Sequence, residues 1–225
     1  LQLSLEISRR DARKLLREKR VTVDGELITE RGKLVTLENQ ILLDGEKLHY
    51  CDAPRYFVLY KPAGYVSSHR NDGYPSLFRL LDEPRLEELM IAGRLDADTT
   101  GLVLLTDDGQ WSHRVTHPNG NIAKTYRVTL AREIEDLAIT QLETGVILRG
   151  EAVPTKPAIV KKIAENRIQL TITEGRYHQV KRMIAAVGNH VEQLHREQVG
   201  SIDLKSLTEG DYRPLTKAEI EEFNG

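Results

Sequence analysis

Residues 93–109 read GRLDADTTGLVLLTDDG. Leu102, Val103, Leu104 and Leu105 form an unbroken apolar run, bounded by Gly101 and by Thr106-Asp107-Asp108-Gly109. A run of that length between turn residues predicts a strand over 102–106, covered on both faces. TDDG is then expected to be a turn, with Asp and Gly in their usual roles. Residues 93–101 become the loop that feeds a core strand, and a loop held there can present a side chain rigidly. It carries Asp96 and Asp98 behind Arg94. Read alone, the pair supports two interpretations: carboxylates that accept backbone N–H groups in an Asx-type turn, or a catalytic acid. Two acids this close on one loop are poorly suited to flank a glycosidic bond, which argues against a glycoside hydrolase.

Working outward, RYFVLY (55–60) predicts a strand and KPAG (61–64) its closing turn. A polar connector ends at Pro54, so the expected organisation is a small domain over 1–48, a linker over 49–54 and a larger domain over 55–225. Further strands are expected at 124–130, 145–149, 158–163, 167–173 and 198–204. Helices are expected at 76–81, 84–90, 133–143, 179–187 and 217–224, the last opened by a Thr216/Glu219 capping box. Strands arrive in groups without βαβ alternation, which predicts an α+β domain on a mixed, mostly antiparallel sheet.

Two stretches bear on the aspartate loop. In EGRYHQVKRMIAAVGNH (174–190), Val180, Met183, Ile184 and Val187 mark one buried helix stripe, and Gly188 stops it. Lys181 and Arg182 stand in its first turn, with Arg176 just before it. Cations there oppose the helix dipole unless an anion, a carboxylate or an RNA phosphate, occupies that end. In KTYRV (124–128), Lys124, Tyr126 and Val128 share one strand face. Tyr126 suits either a core position or a platform for a nucleic-acid base.

The amino-terminal stretch SRRDARKLLREKRVTVDGELI (8–28) predicts a helix followed by a hairpin turning at Asp24-Gly25. At about 100° per residue, Arg9, Arg13, Arg17 and Arg20 fall in one narrow arc, with Ala12, Leu15 and Leu16 in another. Residues 9–20 hold seven basic and two acidic side chains. Such a face is either solvated or turned to phosphate.

Composition excludes several classes. Net charge is −2 over 225 residues, so basic character is local. The single cysteine, Cys51, rules out an internal disulfide framework and a cysteine metal cage, and it suits a reducing cytosol. There is no Walker loop and no G-x-G-x-x-G, so no nucleotide cofactor is expected. His113 and His117 have metal-ligand spacing, but Pro118 ends any helix there and no third ligand follows; no metal is expected. No apolar run approaches the roughly 20 residues of a membrane helix, and no secretory signal opens the chain. The first residue is Leu1, so a natural start further upstream is expected.

Taken together, GRLDADTTGLVLLTDDG, KTYRV and EGRYHQVKRM, in that order after YKPAG, closely resemble pseudouridine synthases of the RsuA type, which act on small-subunit ribosomal RNA. The basic helix followed by V-x-V-D-G resembles the S4 RNA-binding module over 1–48, with part of its first helix expected to be missing. The resemblance implies a catalytic domain on a long mixed sheet with a central RNA-binding cleft, working without a cofactor. It implies Asp96 as the catalytic carboxylate, by covalent attack or through a glycal. Tyr126 would stack on the target base, and Lys181 would keep Asp96 ionised as the site dries. Arg94 would aid base flipping or touch phosphate, Arg176 and Arg182 would contact RNA, and Arg9, Arg13, Arg17 and Arg20 would present the S4 face. Asp98 would shape the loop by accepting backbone donors. The implied partner is 16S rRNA or a small-subunit assembly intermediate, met by a monomer in the cytoplasm. The alternatives are a large-subunit rRNA synthase, against which GRYHQVKRM argues, and a non-catalytic S4-type assembly protein, which has no need of Asp96, Tyr126 and Lys181 together.

Overall fold

The structure of the protein is a computed structural model that describes residues 1, 5, 7–33, 35, 39–48 and 53–224. The chain divides into two compact units, Leu1–Pro54 and Arg55–Gly225. Of the expected linker, 49–52 lie outside the described residues.

In the first unit, helix α1 spans Arg9–Arg17. Ser8 caps it by accepting from Asp11 N at 3.1 Å, and the Asp11 carboxylate accepts in return from the Ser8 hydroxyl. This is half a capping box: Asp is one methylene too short to reach the cap's backbone. Ala12 is buried while Arg13 and Arg17 are exposed; the Arg9 side chain lies outside the described residues. Arg20 departs from the expected arc. The helix ends at Arg17, and Arg20 instead binds the Asp44 carboxylate through Nε (2.9 and 3.0 Å) and Nη2, with Glu18 also near its guanidinium.

Strands β1 (Val21–Val23) and β2 (Glu26–Leu27) form the expected hairpin, and β3 (Ile41–Leu43) with β4 (Glu46–Lys47) forms another, unexpected one. They join as a sheet in the order β2-β1-β3-β4. Each turns on Asp-Gly with positive φ at both residues, Asp24-Gly25 and Asp44-Gly45, as tight hairpins require.

The second unit is built on a sheet ordered β13-β5-β7-β11-β8-β10-β9, with β6 also pairing β7 and β12 pairing β11. Its strands are β5 (Tyr56–Lys61), β6 (Met90–Ala92), β7 (Thr100–Thr106), β8 (Lys124–Leu130), β9 (Ile159–Ala164), β10 (Arg167–Ile172), β11 (Val191–Val199), β12 (Ile202–Asp203) and β13 (Tyr212–Pro214). Among these strands β7 and β11 run parallel, and the other pairs are antiparallel. The sheet is covered on both faces. Val103 and Leu105 join one core with Phe57, Val128 and Leu170, while Leu102 and Leu104 join another with Trp111, Ile202 and Phe223. That two-sided burial is why the LVLL run shows no alternation.

Several local expectations are corrected. TDDG does not simply turn: Asp108 caps α2 (Gly109–Thr116) by accepting from Gln110 N and Trp111 N, while Asp107 accepts from Arg55. The helices expected at 76–81 and 84–90 are short 3-10 turns, Leu77–Leu80 and Leu86–Glu88, the second leading into β6. Residues 145–149 are a loop clasped by Thr155: Gly145 ends α3 (Asp136–Thr144), and a Cβ there would lie 2.3 Å from the Thr155 carbonyl oxygen. The strand expected at 198–204 is the end of β11, a turn and β12. Helices α4 (Gln179–Ala186) and α5 (Lys217–Glu221) complete the unit, the latter with its full capping box. Among the described residues no helix is long and apolar enough to cross a membrane.

The seam between β7 and β11 is unusually close. Gly101 pairs with Arg196, has φ +111°, and a Cβ there would lie 2.3 Å from the Arg196 carbonyl oxygen. We expect Gly101→Ala to lower unfolding stability by about 3 kcal/mol or more, from the steric conflict plus backbone strain, measured by urea denaturation. A change under about 1 kcal/mol would show that the seam relaxes freely.

Glu219 is the second structural anchor. Its carboxylate accepts from both Arg213 amino groups (2.9 and 2.8 Å), from Lys205 and from Thr216 N. The Arg213 hydrogen bonds lead in holding it far below the usual carboxylate range, against the opposing effect of burial. A depressed pKa contributes stability that is complete above a free glutamate's 4.5 and is lost as pH falls below it. Glu219→Gln is expected to cost about 2 kcal/mol at pH 7 and to flatten the acid limb of the stability profile below pH about 4.5. Parallel acid limbs in the two proteins would contradict this assignment.

Candidate active site

The aspartate loop is gripped on either side of Asp96. Leu95 is buried; its N–H donates to Ser67 Oγ at 3.0 Å, and that hydroxyl donates back to Leu95 O at 2.8 Å. The Ala97 carbonyl accepts from Gly64 N at 2.8 Å and from Lys61 Nζ at 3.4 Å. The KPAG turn therefore buttresses the loop. Lys61 is fully buried there, and burial is the main reason its ammonium is pushed down to about 8, with Asp98 and Asp96 acting the other way. Held at Leu95 and Ala97, Asp96 has little backbone freedom, and it lines a cavity of about 610 Å³.

Helix α4 brings its first turn to the same place. Lys181 Nζ lies 3.1 Å from Asp96 Oδ2 and donates to both Asp98 oxygens at 2.7 and 2.9 Å. Burial opposes the Lys181 charge, but its bonds to Asp98 and Asp96 prevail and its pKa is raised. The Lys181 bond leads in lowering Asp98. Asp98 thus takes a partner that the sequence did not suggest. Its side chain is largely exposed and serves as a second counter-charge for Lys181.

The other oxygen of Asp96 meets a residue that the sequence did not single out. His178 Nε2 lies 3.2 Å from Asp96 Oδ1. His178 occupies the N-cap of α4 with φ 47°, a left-handed conformation for a non-glycine residue, and makes no side-chain cap bond. Such backbone costs about 1–3 kcal/mol and persists where surrounding contacts fix it. The available signal was a histidine where a helix start favours Ser, Thr or Asp. Tyr177, 77% exposed, stacks on the His178 ring with centroids 3.7 Å apart.

The two arginines of EGRYHQVKRM take protein partners that the sequence did not suggest. Arg176 donates to Glu151 (2.5 Å), Glu174 (3.2 Å) and the carbonyls of Val153 and Pro154. Arg182 binds the other Glu151 oxygen at 2.6 Å and the carbonyls of Tyr177 and Arg149. The anion that cations at this helix start called for is protein carboxylate. Arg176 and Arg182 clamp the 149–154 loop, and Gln179 completes the clamp by donating to Glu174. Arg94, by contrast, is exposed at the cavity and forms no ion pair among the described residues.

Tyr126 forms part of the cavity wall from β8, only 7% exposed, within the core cluster that includes Val128 and Leu170. The residue is packed as core and still borders the cavity. The structure therefore brings together Asp96, Tyr126 and Lys181, adds His178, and pairs Arg182 and the cavity-lining Arg176 with Glu151. Among the described residues no three His, Cys, Asp or Glu side chains gather in a way that would hold a metal. Chemically, the cavity offers one carboxylate held between an ammonium and an imidazole, beside the Tyr126 ring and further cations.

Comparison with known proteins agrees with this geometry. Residues 55–186 match the family described as RNA pseudouridylate synthase, and residues 1–41 match the S4 domain. The chain is 50% identical over 217 residues to the ribosomal small subunit pseudouridine synthase A of Escherichia coli (strain K12), covering 96% of this chain and 94% of that protein. The Yersinia pestis protein of the same name is 51% identical over 221 residues, with 98% and 94% covered. A crystal structure of a pseudouridylate synthase superposes with a TM-score of 0.73 at 46% identity, over 99% of this chain and 96% of that one. With its larger unit matched to the family over most of its length, and such relatives aligned almost end to end, the chain belongs to the RNA pseudouridylate synthase family.

Proposed function

We propose that the protein isomerises a uridine of small-subunit (16S) ribosomal RNA to pseudouridine, with Asp96 as the catalytic carboxylate. The observation that carries this is Asp96 itself, fixed at both neighbouring residues and held between Lys181 and His178 beside Tyr126. The relatives named for the small ribosomal subunit support the choice of RNA over the large-subunit alternative. The same constellation supports an enzyme over a purely binding S4 protein.

In this reading the target uridine is flipped from its RNA context into the cavity. The bond from N1 to C1′ breaks, the base turns, and C5 bonds to C1′. The C5 proton then leaves and N1 gains one, so the product is an isomer and no cofactor is consumed. Asp96 attacks C1′ covalently or removes the 2′ proton on a glycal route. Lys181 keeps the carboxylate ionised as water is excluded, since a nearby ammonium favours the charged form. His178 fixes the second oxygen and so the carboxylate plane. Tyr126 offers a face to the base, and Arg94 a cation to the entering strand. The S4-like unit, 1–48, adds RNA affinity through Arg13 and Arg17, with Arg9 beside them in sequence. The substrate is 16S rRNA or an assembly intermediate, met in the cytosol by a single copy of the chain.

The test uses rRNA from cells lacking the protein, with pseudouridine mapped by modification-dependent primer stops. Asp96→Asn is expected to reduce turnover at a single 16S position about 10³-fold or more, and Asp98→Asn about tenfold or less, since an exposed counter-charge contributes little. Equal activity of Asp96→Asn and wild type would overturn the reading. For the S4-like unit, Arg13→Gln with Arg17→Gln is expected to make the salt dependence of RNA binding shallower, by about 0.7–0.9 in slope for each phosphate no longer neutralised. An unchanged slope would return helix α1 to a merely solvated role.

A further inference from the structure

Two buried cations in the cavity wall have no acid to balance them among the described residues. Lys124 and Arg196 are 8% and 2% exposed, and both border the cavity. Lys124 stands two residues before Tyr126 on β8, so the two side chains emerge on one face. Arg196 is directly across from Tyr126 on β11. Their acceptors are neutral carbonyls: Arg196 donates to Leu102 O and Gly93 O, both at 2.7 Å, and Lys124 to Ile122 O at 3.0 Å. Among the described residues neither forms an ion pair with a carboxylate, whereas Arg176 and Lys181 around the same cavity both do. Burial first, then the positive charges of Arg196 and Lys156, push the Lys124 ammonium down to about 8.

A buried charge without a partner is strongly disfavoured, and an apolar side chain would fill the position of Lys124 at less desolvation. The wall is therefore built to receive negative charge. Asp96, the one acid among the described cavity-lining residues, is already engaged by Lys181 and His178. A phosphodiester remains on the RNA strand, whereas these groups lie deep, beside the ring that a base would rest on.

The isomerisation supplies an anion of the right shape. When the N1–C1′ bond breaks, its electron pair stays with N1, and the freed base is a uracil anion with charge shared onto its carbonyl oxygens. The electron demand at C1′ is met by the Asp96 carboxylate, or by loss of the 2′ proton to it. When C5 bonds to C1′ the pair is returned, the C5 proton leaves, and N1 is protonated. Charge resides on the base only between those two events, which is where fixed donors in a dry wall act most strongly.

We propose that Lys124 and the remaining guanidinium edge of Arg196 form an anion hole for the detached uracil base as it turns against Tyr126. This rests on the reading of the cavity as a uridine-isomerising site. Because Arg196 also ties Gly93 to Leu102, Lys124 carries the test.

Barbiturate, a planar pyrimidine that is anionic at neutral pH, is titrated calorimetrically into the full chain beside uracil and inorganic phosphate. Wild type is expected to bind barbiturate about tenfold or more tightly than uracil, and phosphate far more weakly. Lys124→Met, with its thermal midpoint checked, is expected to abolish that preference while holding uracil within about threefold. Its kcat on rRNA is expected to fall about 10²-fold with little change in KM, as for loss of an oxyanion donor. Three results would each overturn the proposal: no preference in wild type, a preference that survives Lys124→Met, or phosphate bound as tightly as barbiturate. The same preparation is assayed for isomerisation. An active enzyme without the preference refutes the anion hole alone, and a preference in a protein that isomerises no uridine refutes the parent reading.

Discussion

The contact between Gly101 and the backbone of Arg196 organises the larger unit. It lets β7 and β11, the parallel pair in the sheet, lie close enough for Arg196 to reach across the seam. From there the guanidinium bonds Leu102 O on the strand and Gly93 O at the start of the aspartate loop. The loop leaves the sheet at a fixed place, and Ser67, Gly64 and Lys61 fix where it goes next. The direction of Asp96 is thus a consequence of strand packing rather than of the loop's own preferences.

Electrostatics then separates two carboxylates that look alike on paper. Lys181 stands between them, but Asp96 is flanked by a second nitrogen, His178, and borders the cavity, while Asp98 faces water. An exposed partner in high dielectric contributes modestly, whereas a half-buried one is coupled strongly to whatever excludes the solvent. One ammonium therefore serves two acids in unlike surroundings. The strain at His178 belongs to the same arrangement: a left-handed residue at a helix start turns its ring from capping to the carboxylate.

Where the sequence was legible, one physical signal dominated. Residues 102–105 had to be a doubly covered strand, KTYRV alternated cleanly, and Val180, Met183 and Ile184 lined a buried stripe. Motif resemblance then selected Asp96, Tyr126 and Lys181, which periodicity alone left between a turn, a core and a solvated helix end. The rest failed for identifiable reasons. Strand β11 was hidden because one of its buried positions is Arg196 and its neighbours are Glu, Gln and His. Helix α2 was hidden because the residues that make turns also cap helices, as Asp108 does. The second hairpin carried the same Asp-Gly signal as the first, but its apolar residues do not alternate with polar ones. The pairing of Arg176 and Arg182 was hidden because their acid, Glu151, is 25 or more residues away and no local pattern announces it.

The two glycines beside Arg196 differ in what they permit over evolutionary change. At Gly93 a Cβ would lie 3.7 Å from the arginine's Nη1, an ordinary contact, so the positive φ and not space sets the limit there. At Gly101 the obstacle is main chain, which every residue at position 196 possesses. No exchange there makes room, so the position is closed to compensation by its partner. A lineage can repaint the wall of this cavity one side chain at a time, but it cannot widen the seam on which the wall stands.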